Sequence, residues 1–199
     1  MARVVSCRFL RLSCSEEDHS LFHREYARSN RERGVKLLRC FPHCCPEHAR
    51  RSYCGCSVHV LVTFSSSVSA AELDDLVVCA RFEPSRVAPR WPAGLEHIAG
   101  LTSDDSRQED ERRLGVGESV VLPASLFSSS GRRSSMESVW IRADRESDAK
   151  QKTVPENSVL YVVNNCRFPK WYYNYDSSVT RTQRDMTHHF VAYAFRLTG

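Results

Sequence analysis

Between Arg39 and Val62 the chain reads RCFPHCCPEHARRSYCGCSVHVLV, with five cysteines and three histidines inside 24 residues. Thiolate and imidazole are the ligands zinc prefers, and a tetrahedral structural site takes four of them, as short-range pairs. Cys40 with Cys44, or Cys44 and Cys45 with His48, offers one pair, and Cys54, Cys56 or His59 could complete the set. The candidate ligands are Cys40, His43, Cys44, Cys45, His48 and Cys54, at least three of which would hold the ion. A sulfur-rich site of such short range is closed, so a zinc here would support folding rather than catalysis. The spacing C-x3-C-C-x2-H-x5-C-x-C matches no standard zinc knuckle. A competing reading starts from parity: Cys54 and Cys56 fall on the same strand face as Val58 and Val60, where thiols serve as small hydrophobes. Redox chemistry at an activated thiol is the third reading.

A disulfide knot fits less well. Nine cysteines leave one unpaired, and the start, MARVVSCRFLRLSC, interrupts its apolar residues with Arg3, Arg8 and Arg11, unlike a secretory signal. No stretch approaches the ~20 apolar residues that span a bilayer. The expectation is a soluble intracellular protein, cytoplasmic or nuclear, with its thiols reduced.

The second chemically suggestive stretch is RFPKWYYNYDSS, which sets Phe168, Trp171, Tyr172, Tyr173 and Tyr175 beside Arg167 and Lys170. Aromatic faces interleaved with cations stack bases or clamp a proline-rich or sugar ligand; the alternative is a half-buried edge of a β core. By composition this is the expected interaction surface. A third feature is Arg24, Arg28 and Arg31, spaced i, i+4, i+7, which a helix would align as a basic stripe, either solvated beside Glu25 and Glu32 or facing phosphates. Net charge is only +4, well short of a dedicated DNA binder's positive field. Four lysines among 28 basic residues leave 24 arginines, a bias that codon usage in a GC-rich genome, such as a viral one, explains more simply than phosphate recognition. Arg132-Arg133-Ser134-Ser135 fits a basophilic kinase site at Ser135, where a phosphate would add negative charge beside two arginines.

Enzyme signatures are sparse. Nucleophile elbows, Walker loops and dinucleotide fingerprints are missing. His23-Arg24-Glu25 has the H-x-E of zinc deaminases without the P-C-x-x-C partner. His59 and His189 occupy strand positions and could face one cleft, and an unrecognised cysteine–histidine pair or metal-dependent enzyme stays among the alternatives.

The positioning elements read as follows. Val5, Cys7 and Phe9 alternate, then Leu10, Leu12 and Cys14 continue on the other parity, a first strand with a phase slip. Ser15 caps a helix with Leu21, Phe22 and Tyr26 on its apolar face and Gly34 as its stop. VKLLRCF reads as a second strand. Cys54 to Phe64 alternate through six same-face positions, the clearest strand in the chain. Ser69 and Glu72 form a capping box ahead of Leu73, Leu76, Val77 and Ala80 at helical spacing. Prolines 84, 89 and 92 then break the pattern, with a short apolar turn around Leu95, Ile98 and Leu101. Further strands are expected at Val116–Leu122, Val139–Ala143, Ser158–Asn164 and His188–Leu197. About seven strands and two or three helices without βαβ alternation indicate an α+β fold on a mostly antiparallel sheet or sandwich. One domain, 1–199, would carry exposed polar loops near 102–117, 128–138 and 144–157. The leading expectation of function is a non-enzymatic protein-interaction or regulatory accessory module with a protein partner; nucleic acid binding through the arginine stripe and aromatic cluster is the alternative.

Overall fold

The computed structural model describes residues 2–12, 20–28, 36–42, 56–84, 114–122, 124, 127, 140–166, 169–173 and 188–197. Outside them fall His43, Cys44, Cys45, His48, Cys54, Arg31, Arg167, Phe168, Tyr175, Ser135 and the Leu95–Leu101 turn.

Eight strands and two short helices appear among the described residues, and every strand pairing is antiparallel. The strands are β1 (Val4–Leu10), β2 (Lys36–Leu37), β3 (Val58–Phe64), β4 (Leu76–Pro84), β5 (Ile141–Arg145), β6 (Ser158–Val163), β7 (Tyr172–Tyr173) and β8 (His188–Arg196); the helices are α1 (Ala70–Asp74) and α2 (Asp148–Gln151). Six strands form one sheet in the order β1-β3-β6-β5-β4-β8, and β2 pairs with β7 in a second. The expected α+β class is the observed one.

The large sheet curls until its outermost strands meet. Phe9 of β1 stacks on Phe190 of β8 at 5.0 Å, and Nη2 of Arg196 donates to the carbonyl of Ala2 across the same seam. One face of every strand therefore turns inward. Val58, Val60, Val62 and Phe64 are joined there by Val159, Tyr161 and Val163, by Ala143, and by Val78 and Ala80, all buried in one cluster. Strict period-two patterning in β3 placed these side chains, since alternate residues of a strand share a face. The small sheet lies against one end of this interior and seals it with aromatic rings. Phe41 touches Phe22, Tyr26, Phe82, Trp171 and Phe190, with centroids between 4.8 and 5.7 Å.

Five expectations need correction. The first strand's irregularity lies at Val4/Ser6 rather than after Phe9, and the strand ends at Leu10. Residues 20–28 form no helix; Arg28 instead bridges to Leu38, and Leu21, Phe22 and Tyr26 pack individually on the core. Fitting three bulky side chains into separate gaps outweighs the modest gain of a lone helical turn. The capping box is present, with Ser69 and Glu72 bonded reciprocally, but α1 stops at Asp74 and Leu76 opens β4. Val77-Val78 favours a strand, and nine register pairs with β8 outweigh a continued helix. Residues 114–122 form no strand, because a turn with Gly117 at φ +86° interrupts them; Leu114, Val120 and Leu122 lie on Val77, Cys79 and Trp140 instead. Within 144–157, β5 runs on to Arg145 and α2 follows.

Candidate interaction surface

The aromatic segment belongs to the seal of the sheet's interior. Trp171 is 1% exposed, and its Nε1 donates to the carbonyl of Cys56 at 3.0 Å. The expectation that Trp171 offers a surface ring is thereby corrected: a large ring beside Phe41 and Phe190 removes more apolar area from water inside than any exposed ligand platform would. Tyr172 and Tyr173 are half-buried in β7, where their backbones pair with Leu37 and Lys36. Burial pushes the Tyr173 phenol up to about 12, so it stays protonated beside Nδ1 of His188, 2.6 Å away. Lys170 is exposed, and its carbonyl accepts from Nδ2 of Asn164.

Of the arginines of the expected stripe, Arg24 and Arg28 are described. Arg24 is exposed, whereas the Arg28 guanidinium lies 5.8 Å from the centre of the Tyr173 ring. Without a helix at 20–28 their sequence spacing does not define a shared face.

Of the candidate zinc ligands, Cys40 is described. It is buried, with φ at +55°. Just beyond it the amide of Cys56 donates to the carbonyl of Phe41 at 3.3 Å, so the two ends of the cysteine-rich segment come together at a neck that Trp171 closes from the other side. Among the described residues, no three His, Cys, Asp or Glu side chains converge as a metal site. Cys7, Cys79 and Cys166 are free thiols, and burial pushes that of Cys79 up to about 12.

His59 and His189 do not share a cleft. His59 Nε2 contacts Glu146 Oε1 at 2.9 Å, and Lys150 Nζ meets the same oxygen at 2.6 Å. Burial lowers the His59 pKa, and the Glu146 carboxylate only partly offsets that effect. Burial works against ionising Glu146 too, but bonds from Lys150, His59 and the Ser147 amide outweigh it and lower its pKa. His189 is exposed on β8, opposite Glu83.

Sequence reasoning missed two features. On the outer face of β4, Arg81 and Glu83 are each 2% exposed. Arg81 Nε donates to Glu83 Oε1 at 2.8 Å, Tyr193 donates to the same oxygen at 2.5 Å, and the guanidinium lies 4.2 Å from the centre of the Trp140 ring. Burial, with the hydrogen bond to Glu83, raises the Tyr193 pKa and keeps that donor in place. The second feature is β1. It has a backbone partner only on its β3 side among the described residues, its residues Val4 to Arg8 are all exposed, and Val5 is 63% exposed. Alternating apolar residues with arginines on both parities, and no acid between Ala2 and Arg11, was the available signal.

Comparison with protein-family models, with curated proteins and with solved structures gives no match. The functional reading therefore rests on the chain's own geometry. Among the described residues no helix is long and apolar enough to cross a membrane.

Proposed function

We propose that this chain is a non-enzymatic protein-interaction module of regulatory or accessory type, with β1 as its principal contact surface. The observation that carries the reading is the exposure of Val4 and Val5, 37% and 63%, on a strand at the margin of the large sheet. Exposed apolar side chains so placed offer another chain surface to bury. The titratable groups support the same reading. His59 and His188 are tied to Glu146 and Tyr173, and the Cys79 thiol stays protonated, settings that brace a fold rather than deliver a proton or a nucleophile. Free thiols at Cys7, Cys79 and Cys166 fit a reducing intracellular compartment.

A structural zinc on at least three of Cys40, His43, Cys44, Cys45, His48 and Cys54 belongs to this proposal. The neck formed by Phe41 and Cys56 supports it by bringing the ends of that segment together, as a short-range site requires.

The test is purification of the full chain from cells that make it, with Val5→Lys alongside, followed by quantification of bound protein and nucleic acid as salt rises. A defined set of proteins held at moderate ionic strength by the wild type and lost from Val5→Lys is the expected result. Retention of nucleic acid alone, falling steeply with salt, would overturn it in favour of binding through Arg24, Arg28, Lys170 and the neighbouring aromatics.

A further inference from the structure

Between β3 and β4 the chain reads SSSVSAAELDD over residues 65–75. Ser69 has Glu72 three residues downstream, with Asp74 and Asp75 beyond it, whereas Ser65, Ser66 and Ser67 have Val68, Ser69 and Ala70 at that distance. No lysine or arginine lies between Tyr53 and Ala80, so a kinase that reads upstream cations finds none here. One whose cationic subsite reads a downstream carboxylate is matched at Ser69 and not at its three serine neighbours. Ser69 is exposed and α1 holds no buried residue, so unwinding that short helix into a kinase groove costs little. The same hydroxyl is tied to the start of β1 through Glu72. Oε2 of Glu72 accepts from the Ser69 hydroxyl at 3.0 Å, and Oε1 accepts from the Ala2 amide at 2.9 Å. Ala2 belongs to the buried core cluster, and its carbonyl takes the Arg196 bond across the seam.

We propose that Ser69 is a phosphorylation site for an acidophilic serine kinase, and that its phosphate unfastens Ala2 by driving Glu72 away. In the transfer Ser69 Oγ attacks the terminal phosphorus of a nucleoside triphosphate. The Oγ–P bond forms, the bond from that phosphorus to its bridging oxygen breaks, the nucleoside diphosphate leaves, and the hydroxyl proton passes to the kinase's base. The ester oxygen then has no proton to give Glu72, and the group carries about two negative charges. The carboxylate beside it is ionised throughout the neutral range, because bonds from the Ser69 and Ala2 amides lower its pKa to about 2. A bridge made by one shared proton thereby becomes a contact between like charges, which Glu72 relieves by turning into solvent and leaving the Ala2 amide. Ser65 and Arg3 keep their own pair of bonds, from the Arg3 amide to the Ser65 hydroxyl and from the Ser65 amide to the Arg3 carbonyl. The release is therefore confined to Ala2 and its contact with Arg196. Neither step depends on what β1 binds.

The experiment treats the folded full chain with magnesium, ATP and a purified serine kinase that reads an acid three residues downstream, and in parallel with a kinase that reads upstream arginines. Mass spectrometry locates the phosphate, and amide hydrogen exchange by NMR follows Ala2 and Ser65. The acidophilic enzyme is expected to place a phosphate on Ser69 and the basophilic one to leave Ser69 untouched. Glu72→Gln, which removes the acid, should slow the reaction at Ser69 about tenfold. In the phosphorylated chain the Ala2 amide should exchange about tenfold faster while the Ser65 amide keeps its rate. Ser69→Ala separates charge from simple loss of the cap, because it removes the hydroxyl and leaves Glu72 on Ala2; slow exchange at Ala2 is expected to persist there. Melting temperatures show that each form is folded. No phosphate at Ser69, or equal modification of Ser69 by both kinases, overturns the site. Unchanged exchange at Ala2 in the phosphorylated chain, or the same acceleration in Ser69→Ala, overturns the unfastening.

Discussion

The Tyr173 phenol lies 2.6 Å from Nδ1 of His188, tying the small sheet to the first residue of β8 beneath the rings of Phe82 and Phe190. Burial, with Arg28 and His189 adding positive charge nearby, lowers the His188 pKa from 6.5 to about 4. The unfolded chain therefore takes up this proton at a higher pH than the folded one, and stability must fall as pH drops through the window from 6.5 to about 4. His59, lowered by burial, adds a loss of the same sign beginning at the same upper limit. Melting temperature measured across that window is expected to be level above it and to decline within it. His188→Asn should flatten the decline in part, and His188→Asn with His59→Gln should flatten it further. A decline unchanged in the double variant would refute the assignment.

Glu72 titrates in a different window. Bonds from the Ser69 and Ala2 amides lower its pKa from 4.5 to about 2, so its contribution is present above 4.5 and lost as pH falls toward about 2. Ser69→Ala removes the side chain that caps α1 and is expected to cost about 1 kcal/mol in denaturant titration at neutral pH.

Breaking the buried Arg81–Glu83 pair should be far more damaging than its two-residue separation suggests. Removing one partner strands a charge in a site where each residue is 2% exposed, at a cost of about 3 to 5 kcal/mol. Arg81→Met and Glu83→Leu are each expected to lose stability on that scale, whereas the double variant recovers much of the loss. Additive losses in urea titrations would show that the two side chains act separately.

Trp171 anchors the aromatic seal, and Trp171→Ala should cost about 3 to 5 kcal/mol through the cavity it leaves. Trp171→Phe keeps a ring against Phe41 but abandons the carbonyl of Cys56, which predicts a smaller loss of about 1 kcal/mol. Intrinsic fluorescence during unfolding, with Trp140 as the remaining described indole, reports both changes.

Zinc content is checked by elemental analysis of native, tag-free protein. One equivalent per chain is expected, lost on Cys44→Ser or Cys54→Ser; a metal-free, fully folded wild type refutes the site.

Patterns of period two were legible wherever one face of a strand is buried, as at Val58, Val60, Val62 and Phe64. Helical patterns misled where few residues carry them. Leu76, Val77 and Ala80 satisfy a helical spacing and a strand equally, and only the distant β8 decides between them. The same ambiguity hid Arg81 and Glu83, which a helix would have left in solvent but which alternate with Phe82 in β4. Trp171 was recognisable as important by type, while its inward direction depends on Phe41 and Phe190, more than a hundred residues apart in sequence. The exposure of Val5 could not be read from β1 alone, because alternation there resembles that of any half-buried strand.

The seal around Phe41 also dictates an order of events during synthesis. Phe190 contacts Phe9, Phe22, Phe41, Phe82 and Trp171, so a ribosome must pass residue 190 before the keystone arrives. Until then earlier staves wait with greasy flanks uncovered, and closures across so long a sequence separation belong to the slow class.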